Sequence, residues 1–286
     1  MNKKGILILK RRRITQLFPF LLPIRKIQRK FCFYLHMYFD GNHYAKTKAV
    51  KLLPFCAYKS ETNLVNKNTG FDMEYQENKI FNLQLAAKTI NGILIRPHET
   101  FSFWQLARNA EQYAQYKEGL SVEYGQLTTV KGGGLCHLSN FLFWMFLHSP
   151  LDIVERHPHR IKDFPSPDAN EPDSVDATVS EGWLDLKVKN ETDLTFQIDL
   201  SFAGSVLYGR LLTDRAMPYR YEITNRDKLF FKRDRKIFEK VSVCRHCVDY
   251  NLGKVHPEQL LYTDMFEIGY PLPEEIEIIS KESCNE

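Results

Sequence analysis

The chain has 286 residues, 43% of them apolar, and a formal charge of +4, so it can bury a sizeable core in one domain or two and is not broadly disordered. Its six cysteines (Cys32, Cys56, Cys136, Cys244, Cys247 and Cys284) are too few and too scattered for a disulfide scaffold and are expected to be reduced.

The charge is unevenly placed. Residues 1–51 hold 13 Lys/Arg against Asp40 alone, giving this arm +12 and leaving −8 for the rest. Such a split suits an anionic partner. Within the arm, "TQLFPFLLPIRKIQRKFCFYLHMYF" interleaves Phe, Leu and Ile with Arg and Lys. It reads either as an interfacial helix on anionic lipid or as a solvated extension packed on the body; no nucleic acid is expected. Pro19 and Pro23 interrupt the one stretch that approaches the roughly 18 apolar residues of a membrane span. "GILIL", between the first basic clusters, is too short for a signal-peptide core, so the expected location is cytoplasmic, peripheral at the inner face of the membrane.

Beyond the arm, "ENKIFNLQLAAKTING" spaces Ile80, Leu83, Ala87 and Ile90 on one helical face, with Gly92 suited to the left-handed residue past its end. A short strand, "ILI", precedes "RPHETFSFWQLARNA", a turn into a shorter helix, and residues 113–131 carry turn residues and strand-like pieces. "GGGLCHLSN" then opens "HLSNFLFWMFLH", apolar nearly all round and therefore read as a central buried helix. "DIVERHPH" reads as a strand. Alternation in "WLDLKVKN" and "LTFQIDLSF" predicts a hairpin turning at Asn190–Asp193, and similar patterns continue to the C-terminal end. The fold class is α+β, a buried helix on a mainly antiparallel sheet. Residues 1–51 form the arm, 52–215 an α+β core domain and 216–286 a β-rich extension.

The chemistry centres on Cys136. Gly132, Gly133 and Gly134 permit backbone shapes closed to other residues. A cysteine in the first turn of a helix meets the positive end of its dipole, which favours thiolate. "ERHPHR" supplies His157 and His159, two apart and so on one face of a strand. Asp176 in "SVDATV" offers an orienting carboxylate, giving the order Cys, His, Asp of a thiol hydrolase or transferase. Competing readings of the same residues are a zinc site of Cys136, His157 and His159 completed by Asp176 or His137, and structural residues, with Asp176 capping a turn. "CRHC", Cys244 to Cys247, lacks a second CxxC and a βαβ setting and is left outside the site. Glu99 is a candidate hydrogen-bonding partner.

"NLQLAAKTINGILIRPHETFSF", "YKEGLSVEYGQLTTVKGGGLCHLSN", "DIVERHPH" and "DATVSEGWLDLKVKNETD" resemble the VanW family in motif and order, over about Glu77 to Phe202. Two positions depart from the family pattern: His137 stands where it has Gln after the cysteine, and His98 where it has Gly before the Glu. The resemblance implies an association with glycopeptide (vancomycin) resistance and, more loosely, with cell-wall metabolism; it supplies no reaction.

Together these readings give a thiol-dependent hydrolase or transferase acting on peptidoglycan precursors. Cys136 is the nucleophile, His157 the base and Asp176 the orienter. Gly132, Gly133 and Gly134 shape the turn and donate N–H groups to an oxyanion, and His137, His159 and Glu99 lie on the substrate side. No cofactor is expected. The alternative is a non-catalytic module that binds a precursor or a protein.

Overall fold

The computed structural model describes residues 18–65, 71–123, 126–162, 172–250, 252–273 and 275–280; residues 1–17 of the basic arm, and Cys284, fall outside these. Two compact units form, one of Met1–Asn42 with Glu181–Trp183, the other of His43–Ser180 with Leu184–Glu286. In the first unit a 3-10 turn, Pro19–Leu21, leads into helix α1 (Leu22–Phe39). Pro23, which interrupts the apolar run in the sequence, sits in the first helical turn, where its missing N–H has no partner to lose. One side of α1 is held within the unit. The Tyr34 hydroxyl donates to Glu181 Oε1 at 3.0 Å, Lys30 pairs with Glu181, and the Arg29 guanidinium lies 4.4 Å over the Trp183 ring.

The second unit is α+β. In chain order its elements are β1 (His43–Tyr44), β2 (Phe55–Asn63), α2 (Met73–Ile90), β3 (Leu94–Ile95), β4 (Glu99–Ser102), α3 (Phe103–Ala107), β5 (Glu118–Glu123), β6 (Gln126–Lys131), α4 (Leu135–Leu147), β7 (Asp152–Glu155), β8 (Ile161–Lys162), β9 (Lys187–Lys189), β10 (Phe196–Ala203), β11 (Val206–Thr213), β12 (Tyr219–Arg233), β13 (Lys236–Asp249), β14 (Gln259–Ile268) and β15 (Ile278–Ser280). They pair as three sheets, β1-β4-β9-β7, β2-β11-β10-β3 and β15-β12-β13-β14-β8, plus the hairpin β5-β6.

The core lies where the helices cover the second sheet. On α2, Leu83, Ala87 and Ile90 are buried together, as their spacing expects, Ile80 is half-buried, and Gly92 ends the turn at φ +80. A side chain there would meet Ala49 O at 2.9 Å. Nine of the 13 residues of α4 are buried. The helix lies close on β11 because Gly209 has no side chain; a Cβ at that position would stand 2.5 Å from both Met145 Sδ and Phe141 Cε1.

The hairpin expected across Asn190–Asp193 does not form. β9 pairs with β4 and β7 in the first sheet, while β10 pairs with β3 and β11 in the second. Asn190, fully buried, makes the crossing: its Nδ2 donates to Ile95 O at 2.9 Å and Leu194 O at 2.7 Å, and its Oδ1 accepts from Thr192 N at 3.0 Å. An alternating pattern marks strands but not which strand each one meets. Two charged residues of the alternating pattern, Asp185 just before β9 and Lys187 within it, are both buried.

Candidate functional site

The glycine turn is built by close backbone packing. Gly132 and Gly134 adopt φ +77 and +93, and the Cα of Gly133 lies against Gly119 of β5, where an added Cβ would stand 2.0 Å from Gly119 O. Asn82 of α2, fully buried, ties the two segments. Its Nδ2 donates to Gly133 O at 3.0 Å and Lys117 O at 2.9 Å, and its Oδ1 accepts from Lys117 N at 2.8 Å. The N–H groups of Gly132 and Gly133 are consumed by Lys117 O and Val130 O. They are therefore not the oxyanion donors expected of them. In the first turn of α4 the His137 N–H is taken by Gly134 O, which leaves the Leu135 and Cys136 N–H groups as the candidate donors.

Cys136, the second residue of α4, is half-buried, and its Sγ lies 3.6 Å from Val179 O. The segment 176–179 runs along this end of the helix: Ser139 Oγ donates to Ala177 O at 2.6 Å, and Ala177 N donates to Asn140 Oδ1 at 2.8 Å. Burial, with the Asp176 charge added, pushes the Cys136 thiol up, so the helix dipole does not deliver a resting thiolate. Iodoacetamide at neutral pH should accordingly alkylate Cys136 more slowly than the exposed Cys32 and Cys56, with the Cys136 rate still rising above pH 9. Peptide mapping of a time course reads this, and preferential labelling of Cys136 at neutral pH would contradict it.

Asp176 orients His159, not His157. Its Oδ2 meets His159 Nδ1 at 2.5 Å and accepts from His159 N at 2.8 Å; Thr178 Oγ1 is 3.0 Å from the same ring nitrogen. Burial would raise the Asp176 carboxyl, but the His159 contacts and Arg156 hold it below its ordinary value. His157 turns instead to Glu155, Nε2 to Oε1 at 3.0 Å, where Lys187 also pairs at 3.0 Å. Burial would raise the Glu155 carboxyl too, but the His157 and Lys187 bonds outweigh it. The two rings part because β7 ends at Glu155 and residues 156–160 are not strand, so the two-residue repeat that would align them is absent.

The same divergence undoes the zinc reading. His157 goes to Glu155, His137 Nε2 is 3.1 Å from Thr62 Oγ1, and among the described residues no three His, Cys, Asp or Glu side chains converge to hold a metal. Cys244 and Cys247 lie three apart in β13, which sends them to opposite faces. Glu99 closes a surface turn, accepting from Arg96 N at 2.9 Å. Beside it His98 holds φ +64, a left-handed conformation that glycine adopts without strain.

His137 lies next to Lys79, whose stem covers Gly134. Burial, then the Lys79 charge, lowers His137 to about 4, and burial lowers Lys79 to about 8. A neutral imidazole bonding Thr62 does what a glutamine amide can do, so His137→Gln should be well tolerated at pH 7. The two proteins should then diverge on acidification. The folded-state pKa of His137 is depressed, so its contribution is present above the unfolded value near 6.5 and is lost as pH falls towards 4. Wild type should lose on the order of 2–3 kcal/mol more than His137→Gln between those limits, and urea unfolding at several pH values reads the difference.

Three organising residues escaped sequence reasoning. Arg156 bonds Asp176, Ser174 and Asp264 from a side chain 5% exposed. Asp185 accepts from Ser102 Oγ at 2.5 Å and Trp104 N at 3.0 Å, and burial raises it to about 7. Lys79 stands in "ENKIF" with nothing local to distinguish it. The one available signal was the density of charge in "ERHPHR" and "WLDLKVK" within otherwise apolar segments.

Comparison with known proteins places these features in a family. The family described as "VanW like protein" matches residues 78–212, a stretch that includes Glu99, the glycine turn, Cys136, His137, His157, His159 and Asp176. The chain is 50% identical to the "Vancomycin B-type resistance protein VanW" of Enterococcus faecalis (strain ATCC 700802 / V583), over 94% of its own length and 98% of the relative's. It is 28% identical to the "Uncharacterized protein YoaR" of Bacillus subtilis (strain 168), over 56% of its length and 52% of that protein's. No solved structure matches. Identity sustained along nearly the whole of both chains settles the assignment: this chain belongs to the VanW family.

Proposed function

We propose that the chain has an accessory role in vancomycin resistance and carries it out as a cysteine-dependent acyl hydrolase or transferase on the peptide portion of peptidoglycan precursors. The observation that supports the reading is geometric: Asp176 bonds the His159 ring at 2.5 Å, and the segment that follows it runs along the start of α4, where Val179 O lies 3.6 Å from Cys136 Sγ. Because the resting thiol is protonated, the proton must leave as the substrate is attacked. Cys136 Sγ adds to a peptide carbonyl while His159 Nε2 takes the thiol proton, and Asp176 stabilises the imidazolium. The oxyanion faces the N–H groups of Leu135 and Cys136 at the start of α4. The C–N bond then breaks, the leaving amine takes the proton from His159, and the thioester passes its acyl group to water or to a second amine.

A binding module without turnover is favoured by the Sγ to Val179 O contact, which gives the thiol a partner of its own. Incubation with nucleotide-linked muramyl peptides and mass spectrometry of the products separates the two. Shortened or exchanged peptides that vanish in Cys136→Ala support the enzyme. Saturable binding by calorimetry with unchanged peptides supports the module and overturns the enzyme.

A further inference from the structure

We infer that α1 is a docking surface for an anionic lipid bilayer, lying along it rather than crossing it. Ile24, Ile27, Phe31, Leu35 and Tyr38 follow one another at three- and four-residue steps and so share one face of the helix, about 21 Å long at 1.5 Å per residue. All five are exposed, Ile27 at 70%, Phe31 at 65% and Tyr38 at 82%. Phe20, 71% exposed in the preceding turn, extends the row. This is not a helix lacking a packed side. Arg29 and Met37, off this face, are occupied by Trp183 and by burial, and Tyr34, at the edge of the row, is tied to Glu181, so the packed side and the exposed row are distinct.

Charge decides between the two occupants such a stripe could take. No Asp or Glu precedes Asp40, whereas ten Lys/Arg do: Lys3, Lys4, Lys10, Arg11, Arg12, Arg13, Arg25, Lys26, Arg29 and Lys30. A second copy of the segment would bring the same positive charge against it. Anionic headgroups supply the opposite sign while the acyl boundary takes the apolar row. No described helix is long and apolar enough to cross a membrane.

The test uses the full chain, sedimented with vesicles of phosphatidylcholine with and without phosphatidylglycerol. Binding is expected only with phosphatidylglycerol, weakening as salt rises. Ile27→Asp and Phe31→Asp should each lower the partition constant about tenfold with an unchanged far-ultraviolet spectrum. Phe31→Ser keeps the comparison if either aspartate variant misfolds. Absence of binding to phosphatidylglycerol vesicles, or binding unaffected by these changes, overturns the inference. So does a dimer in solution that the same substitutions dissolve, which would assign the stripe to a second copy.

Discussion

Replacing Arg156 with leucine is expected to cost about 3–5 kcal/mol of folding stability, the range for removing one partner from a buried ion pair. The guanidinium donates through Nε to Asp176 O at 2.5 Å, and through its other nitrogens to Asp176 Oδ1 at 3.0 Å, Ser174 O at 2.9 Å and Asp264 Oδ2 at 2.5 Å. It also lies 4.1 Å from the centre of the Tyr262 ring. A leucine would leave Asp264 without its cation, Asp176 with only the His159 contacts, and the Asp176 carbonyl without the Arg156 donor, while the Ser174 carbonyl would keep the Tyr262 hydroxyl. Lysine keeps the charge but cannot present a planar fork to four acceptors, so Arg156→Lys should recover only part of the loss. Urea unfolding of the three proteins gives the values. Leucine and lysine costing the same would mean that the fork, and not the charge, is what these partners need.

Gly133→Ala should be about as damaging, at 3 kcal/mol or more, although it adds a single methyl group. The new Cβ would stand 2.0 Å from Gly119 O and 2.2 Å from Gly119 C. Neither is a flexible side chain, and Asn82 holds both segments in place, so the backbone must move. Gly132→Ala is the control. Its nearest neighbour would be Leu135 Cδ1 at 3.6 Å, so it costs only the left-handed conformation, about 1–2 kcal/mol. Equal costs at the two positions would mean that the approach of Gly133 to Gly119 is not what requires glycine.

Local pattern revealed much of this structure. Helix α2 and its terminal Gly92, the buried α4 opening at the glycine turn, and the strands of the C-terminal part all follow from periodicity and punctuation. What periodicity does not carry is partnership between distant segments. Asn190 sends β9 and β10 into different sheets by bonding Ile95 O, a contact 95 residues away in sequence. Asp176 and the two histidines were legible as residue types. Which ring Asp176 would take depended on where β7 stops, and a strand end is among the features sequence marks least sharply. The thiol was misjudged for a related reason: the helix start is visible in sequence, but the burial that raises Cys136 comes from the 176–179 segment.

The most direct test of Cys136 as nucleophile and His159 as its base is intact-protein mass spectrometry of an acid-quenched reaction with a muramyl stem peptide. The expected result is a mass increase equal to the acyl portion of the peptide, mapped to Cys136. It should be absent in Cys136→Ala, greatly reduced in His159→Gln and retained in His157→Gln. Peptide turnover persisting in Cys136→Ala, or an adduct that survives His159→Gln and is lost in His157→Gln, would contradict it.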